Sequence, residues 1–555
     1  MSFKLTPLAK GFMALCAIST FICAGGGLGY VVLSGDAEAE GGSTVSSGGI
    51  LSGGSTASGA LGSSTNPLKV SIVSFHGYAP ALVAQGSSLT TQPGSIFANE
   101  GVNVDFIIQD NVPTLTEIFQ SDTAHCSWRT SDFWAQEQPN LRGANLDGKA
   151  IMAVDNTQGA DAIIATDPNI KRVEDLAGKR IALLEFTPSH GMVIDAVQNS
   201  SLSARKKQGI LSSLVTVNVE EGTAGVRAVL ESGNADAAAL WDPDLSLAMK
   251  IKGAHVVYST KTATNLIYDV IVCDTRHLTP GNAPVFQKFV NGWMKGVDAA
   301  EADPDKAVEA LKKTEEFFAV LAKDEGDAFV KGLFDGLVWT GTEDNIRILG
   351  LAGGTNQYER VYKRFDGIYR AAGALANPNA PVINPSDSFD YTFITALMNE
   401  NAAAKTEAAK PEFTFSEKER ETAVAVAPQL EKPVLVTFKT GSADLNERAK
   451  KTLNDEMVPL IENNGSAYFT VSGNTDATGG RAGNVALSQR RAQAVVTFLI
   501  NEWEFPAERF AVVGHGPDKP LCDEKNPTSY DEDTDLEACR SLNRTVRLGV
   551  NSNAN

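Results

Sequence analysis

Asp476 and Arg491 are the two residues of this 555-residue chain whose spacing best prepares them for chemistry. A helix is expected from about Asn484 to Asn501, with an apolar stripe on Leu487, Val495 and Phe498 at i, i+8 and i+11. Arg491 falls at i+4 on that stripe. A guanidinium there needs a carboxylate, because burying an unpaired charge is very costly. Asp476, at the end of an expected strand Ala467–Ser472, is the natural candidate. An acid and a base held close at a pocket mouth also suit a zwitterion, the aspartate taking an ammonium and the arginine a carboxylate in bidentate geometry. The plainer reading is an internal ion pair.

A second set of candidates follows the expected strands in the middle of the chain. It comprises Ser74, His76 and Tyr78, then Trp128 and Arg129, then Thr187, Ser189 and His190, and finally Trp241 and Asp242. In open α/β sheets, ligands sit beyond the carboxyl ends of the strands, where these residues lie. Thr187-Pro188-Ser189-His190-Gly191 opens a helix, an arrangement that suits an anion or a polar ligand. Arg129 would pair with an anionic group. Trp241 would stack on the ligand or wall a lobe. Plainer readings exist for each: Ser189 as an N-cap, His76 and His190 as ordinary loop histidines, Tyr78 and Trp128 as core, and Asp242 as part of an Asp-Pro turn.

No catalytic constellation stands out. The chain has six histidines and no G-x-S-x-G, H-E-x-x-H or P-loop. Binding is therefore expected rather than catalysis, with no cofactor. None of the six cysteines has a zinc-like spacing, so no metal is expected. Cys126 and Cys273 either pair in an oxidising compartment or stay as buried thiols. The formal net charge of −19 argues against nucleic acid, which calls for clustered Lys and Arg.

The elements that must position these groups divide the chain into five parts. Lys4 and Lys10 precede an uncharged apolar run from Gly11 to Leu33, long enough to cross a bilayer core of ~30 Å. Positive charge before it and the acidic stretch Asp36–Glu40 after it place the N-terminus in the cytoplasm and the rest outside. Residues 1–34 are thus read as an inner-membrane anchor, and the alternative is a signal peptide cut near Ala37-Glu38-Ala39. A Gly/Ser-rich tether spans 35–66. Across 67–399, strands and helices alternate in an α/β pattern expected to give mostly parallel sheets. Residues 400–429, rich in Ala, Glu and Lys and interrupted by Pro411, suit a helix or a solvated spacer and are read as a second linker. Residues 430–550 are read as an α+β domain: strand Pro433–Phe438, helix Asn446–Ile461, strand Ala467–Ser472 and the Asn484–Asn501 helix.

Two stretches carry a family resemblance. Val173-Glu174-Asp175-Leu176-Ala177-Gly178-Lys179-Arg180-Ile181-Ala182 and Gly233-Asn234-Ala235-Asp236-Ala237-Ala238-Ala239-Leu240-Trp241-Asp242-Pro243 resemble second-lobe segments of periplasmic solute-binding proteins for sulfonate, nitrate, taurine and thiamine-precursor uptake. The resemblance implies a two-lobed binder of a small, anionic or polar solute, with a permease as a possible partner.

Gly473-Asn474-Thr475-Asp476 resembles the "G-H-T-D" of the OmpA-like family, with Asn474 in place of His. Asn484, Leu487, Ser488, Arg490, Arg491, Ala492 and Val495 match its "N-x-x-L-S-x-R-R-A-x-x-V". Gly514-His515-Gly516 and Asn543-Arg544-Thr545-Val546 match its later motifs, with Thr545 replacing an arginine. The resemblance implies binding to the diaminopimelate stem peptide of peptidoglycan through Asp476 and Arg491, with Thr475 and Asn484 in support. Several members of that family bridge a loop at the place of Cys522 and Cys539, which implies a disulfide here and an oxidising periplasm. The combined expectation is a single-pass periplasmic protein of a Gram-negative envelope that binds solute and wall. The alternative is an envelope scaffold or stator-like subunit, in which the two-lobed fold serves protein interaction and its pocket is filled. Gly11–Leu33 carries no acidic residue for ion passage.

Overall fold

Short β-branched runs become strands, and the periodic stretches between them become helices. In chain order the first strands are β1 (Leu68–Ile72), β2 (Val104–Ile108), β3 (Cys126–Thr130), β4 (Gly148–Thr157) and β5 (Asp161–Ala165). They are followed by β6 (Ile181–Leu183), β7 (Val215–Thr216), β8 (Ala237–Trp241), β9 (His255–Ser259), β10 (Tyr268–Asp274) and β11 (Leu337–Trp339). The last four are β12 (Leu430–Val434), β13 (Tyr468–Asn474), β14 (Phe510–Gly516) and β15 (Val546–Asn551). This computed structural model describes residues 59–218, 221–373, 375 and 377–552. The expected anchor at 11–33 and most of the Gly/Ser tether lie outside the described residues. Among the described residues no helix is long and apolar enough to cross a membrane.

The strands form three sheets, ordered β11-β4-β10-β3-β1-β2, β7-β6-β8-β5-β9 and β12-β15-β13-β14. The first two are the cores of two lobes. The expected mostly parallel sheets are corrected to mixed ones. β1 is parallel to β2 and β3, and β6 to β7 and β8. The pairs of β10 with β3 and β4, of β11 with β4, and of β5 with β8 and β9 are antiparallel. The cause is the path between lobes. The chain leaves the first sheet along β4 into β5 and returns along β9 into β10, so the returning strand runs against its neighbours.

Cys126 and Cys273 sit opposite each other on β3 and β10 and form a disulfide. Pairing, not a pair of buried thiols, is the outcome. The expected linker at 400–429 takes the helical of its two readings. It holds helices Ala402–Ala408 and Glu417–Val424, with Pro411 between them. Ala404, Ala408 and Ala423 are buried, because alanine faces let short helices lie close against their neighbours.

In the third sheet β13 and β14 are parallel, and the helix Arg481–Trp503 crosses them. Two glycines permit that approach. A Cβ on Gly473 would lie 2.0 Å from the Ser488 carbonyl oxygen, and one on Gly514 would lie 2.6 Å from the Gln489 nitrogen. The expected Asn446–Ile461 helix divides into Glu447–Glu456 and Val458–Asn463. Pro459 has no N–H to continue the first segment.

Candidate functional site

The two lobes face each other across a cleft, and the strand register decides what floors it. Directly opposed residues on neighbouring strands share a face of the sheet. Asp269 of β10 stands opposite Thr130 of β3 on one side and Asp155 of β4 on the other. From the second lobe, Asp161 of β5 stands opposite Trp241 of β8. Thr130, Asp269, Asp161 and Trp241 line one cavity of about 70 Å³, walled also by Phe75, Trp128, Phe133 and Phe186. It adjoins a larger space of about 470 Å³ that shares Phe133, Phe186, Thr187 and Trp241.

Three of the expected solute residues, Trp128, Thr187 and Trp241, line this cleft. The others serve elsewhere. Arg129 is the main correction. It is fully buried and lies in an ion pair with Glu137. It also donates to Ser127 Oγ at 2.7 Å and to the Leu115 carbonyl at 3.1 Å. It ties β3 to the helices Leu115–Ser121 and Ser131–Gly143 and has no guanidinium nitrogen left in the cleft lining. Ser74 donates to Asp110 from its N–H and its hydroxyl, at 2.7 and 3.0 Å. Tyr78 is core, with its hydroxyl donating to Asp269 at 3.1 Å. His76 is wholly buried, and desolvation holds its imidazole down at about 3. Asp242 accepts from the Ser246 N–H at 2.8 Å and starts a helix. Ser189 is buried inside the first turn of the helix Pro188–Asn199, one residue past its proline and two past Thr187 at the N-cap position. Thr187 turns its hydroxyl to the Leu184 carbonyl at 2.8 Å.

His190 has a positioning task. Its Nδ1 accepts from the Phe186 N–H at 3.0 Å, and burial lowers its pKa to about 4, so it stays neutral. Phe186 is held at φ 56°, a left-handed backbone that costs a bulky residue on the order of 1–3 kcal/mol. The strain places its ring in the cleft wall.

The floor is electrostatically loaded. Asp155, Asp161 and Asp269 are all raised above the usual carboxylate range, by burial first and then by one another or by Asp132. Burial also lifts Asp132 to about 6. Gly77 has room only because it lacks a side chain: a Cβ there would lie 1.8 Å from Asp155 Oδ2.

In the C-terminal domain the expected Asp476–Arg491 ion pair is corrected. Asp476 pairs with Arg544, whose Nη1 donates to Oδ2 at 2.7 Å, and Oδ1 accepts from the Thr478 N–H at 2.9 Å. Burial alone would raise the Asp476 carboxyl, but these bonds offset it and hold it below its ordinary value. Arg491 instead donates to the carbonyls of Ser442 and Lys439, at 3.1 and 3.5 Å, and lies 4.8 Å over the Phe438 ring. Asp476 still acts on it through space. Arg491 is half-buried because it sits at the edge of the stripe: Val495 and Phe498 are buried, and Leu487 only partly. Asn484 supports the acid's loop by donating to the Thr478 carbonyl at 2.9 Å. Thr475 bonds the Asp476 carbonyl through its hydroxyl and the Gly516 carbonyl through its N–H, both at 2.9 Å. Cys522 and Cys539 are bridged, as the resemblance implies.

Residues 92–307 match the family described as NMT1/THI5 like, and residues 437–533 match the OmpA family. The chain is a fusion of the two. The OmpA-family part is 32% identical over 120 residues to outer membrane protein P5 of Haemophilus influenzae, covering 21% of this chain and 32% of that one. It is 31% identical over 100 residues to a peptidoglycan-associated lipoprotein of Pseudomonas putida, covering 18% and 58%. The NMT1/THI5-like part is 29% identical over 165 residues to a putative aliphatic sulfonates-binding protein of Escherichia coli, covering 30% and 45%. The chain thus spans between a third and three fifths of the length of these relatives. The crystal structure of the periplasmic aliphatic sulphonate binding protein SsuA from Escherichia coli aligns at a TM-score of 0.44 and 13% identity, over 58% of this chain and 97% of that one.

Some site residues escaped the sequence reading. In the NMT1/THI5-like domain these are Asp161, Asp269, Thr130, Phe133 and Phe186. For the two aspartates the available signal was an acid set inside or beside an apolar strand, as in Tyr268–Asp274. In the OmpA-family domain Arg544 was legible as part of the closing motif but had no role until its guanidinium met Asp476. Glu524, which accepts from the Ala477 N–H at 2.9 Å, had no signal at all.

Proposed function

We propose that this is an envelope protein that holds a solute-binding module against the cell wall. The OmpA-family domain binds peptidoglycan, with Asp476 taking the ammonium and Arg491 the carboxylate of a diaminopimelate stem peptide. The two-lobed domain captures a small solute. The Gly11–Leu33 run anchors the chain in the inner membrane, with the bulk of it in the periplasm and a permease or other envelope protein as a further partner.

The observation that carries the wall reading is the separation of the two charges. Asp476 is fixed by Arg544 and Thr478, and Arg491 by two carbonyls, so neither neutralises the other. A zwitterion needs such a preorganised, unjoined acid and base. The solute reading is favoured over the scaffold alternative because the cleft is open, not filled.

The test is co-sedimentation of the full chain with purified sacculi. Wild type should sediment, and Asp476→Ala and Arg491→Ala should remain in the supernatant with unchanged melting temperatures. Failure of the folded wild type to sediment would discard the wall assignment.

A further inference from the structure

We propose that the solute cleft takes a small organic cation, an alkylammonium seated with its charge toward Asp161 and Asp269 and its carbon against Trp128, Phe186 and Trp241. This rests on the solute-binding reading above and names the class of solute.

Charge is the first argument. Among the described residues no Lys, Arg or His lines either part of the cleft, whereas Asp161 and Asp269 line the inner cavity and Asp110, Glu137 and Glu185 the outer space. The one arginine beside it is consumed by Glu137. That arginine neutralises Glu137, so the acids left to a solute are Asp110, Asp161, Glu185 and Asp269, and among the described residues an entering anion would meet no free cation.

The second argument is Asp155, which stands behind the lining. Asp155 is wholly buried, and both of its carboxylate oxygens lack a hydrogen-bond partner among the described residues. It shares its sheet face with Asp269, its neighbour across β10 and β4. Two adjacent buried carboxylates cannot both ionise cheaply unless a positive charge joins them.

The third argument is the wall. Aromatic faces around an acidic floor attract ammonium groups through the ring quadrupole and lie against their alkyl carbon. Phe186 is held there by a strained backbone and the His190 hydrogen bond. Three helix starts, at Ser131, Pro188 and Gly222, reach the cleft and favour an anion, and the one nearest Phe186, at Pro188, gives little. Thr187 spends its hydroxyl on Leu184, and Pro188 has no N–H.

The experiment is calorimetric titration of the full chain at pH 8 with three probes: choline, its uncharged isostere 3,3-dimethyl-1-butanol, and ethanesulfonate. Choline should bind, the alcohol at least about tenfold more weakly, and ethanesulfonate not at all. Asp269→Asn should lose choline affinity and raise the melting temperature, because the substitution relieves repulsion. A merely structural aspartate would lower it. If that variant does not fold, Trp241→Ala, which removes a wall ring, should weaken choline about tenfold while the protein stays folded. Binding of ethanesulfonate but not choline would overturn the cation and leave the solute reading intact. Binding of neither, nor of any member of a thermal-shift panel of amines and acids, would discard both.

Discussion

At the scale of single residues, function turns on which charges meet. Arg544 holds Asp476, and the pair is partly exposed, so its contribution to folding is small, about 0–1 kcal/mol. Arg544→Ala should therefore shift the melting temperature little but weaken sacculus binding, since the Asp476 carboxylate loses its brace. Because the folded pKa of Asp476 is depressed, its contribution is present above about pH 4 and is lost as pH falls below that. The cleft behaves in the opposite sense. Asp269, faced by Tyr78, Asp155, Asp161 and Asp132, has a raised pKa. Its contribution is present below about pH 4 and is lost as pH rises through the folded value. The thermal gain from Asp269→Asn should thus be larger at pH 8 than at pH 5, as read by paired melts. Equal gains at the two pH values would refute the repulsion.

At the scale of elements, the OmpA-family domain depends on a close helix–strand approach. Gly473→Ala would drive a Cβ into the Ser488 carbonyl, backbone against backbone. The expected cost is about 1–3 kcal/mol or more, as for overpacking, seen as a lower denaturant midpoint. Asp476 lies three residues beyond, so sacculus binding should fall as well. Most strands and the main helices were legible to within a few residues, because period-two and period-3.6 patterns are local. The helices in 400–429 were legible only as one of two alternatives. Their alanine-rich, weakly apolar faces look like solvated spacer until a partner surface is present, as when the Tyr468 hydroxyl accepts from the Ser416 N–H at 3.1 Å.

At the scale of the whole molecule, the OmpA-family domain rests on one of the two segments that join the lobes, residues 260–267. The Asn265 N–H donates to the Asn463 carbonyl at 3.1 Å, Asn265 Nδ2 to the Glu462 carbonyl at 2.8 Å, and Ser466 to the Lys261 carbonyl at 2.8 Å. Arg360 ties both sides, donating to the Asn265 carbonyl at 3.0 Å and to Asn463 Oδ1. Arg360→Ala should speed amide exchange at 260–267 and at 462–466 together. Faster exchange in one segment alone would show that the two are not coupled through this side chain.

The sequence alone determined the two families and most strand positions, and through the family resemblance the bridged Cys522–Cys539 loop, because these depend on local pattern and residue identity. The strand expected at Pro433–Phe438 lies at Leu430–Val434, and β11, β14 and β15 were not read. Tertiary structure alone decided partners. It gave Arg129 to Glu137, Asp476 to Arg544 and Arg491 to the carbonyls of Ser442 and Lys439. It also brought Asp161 and Asp269 to one cleft, with Asp155 beside Asp269 behind it, through the register of two sheets. Electrostatic energies fall with distance and rise with burial, and neither quantity exists until strands distant in sequence have been laid side by side.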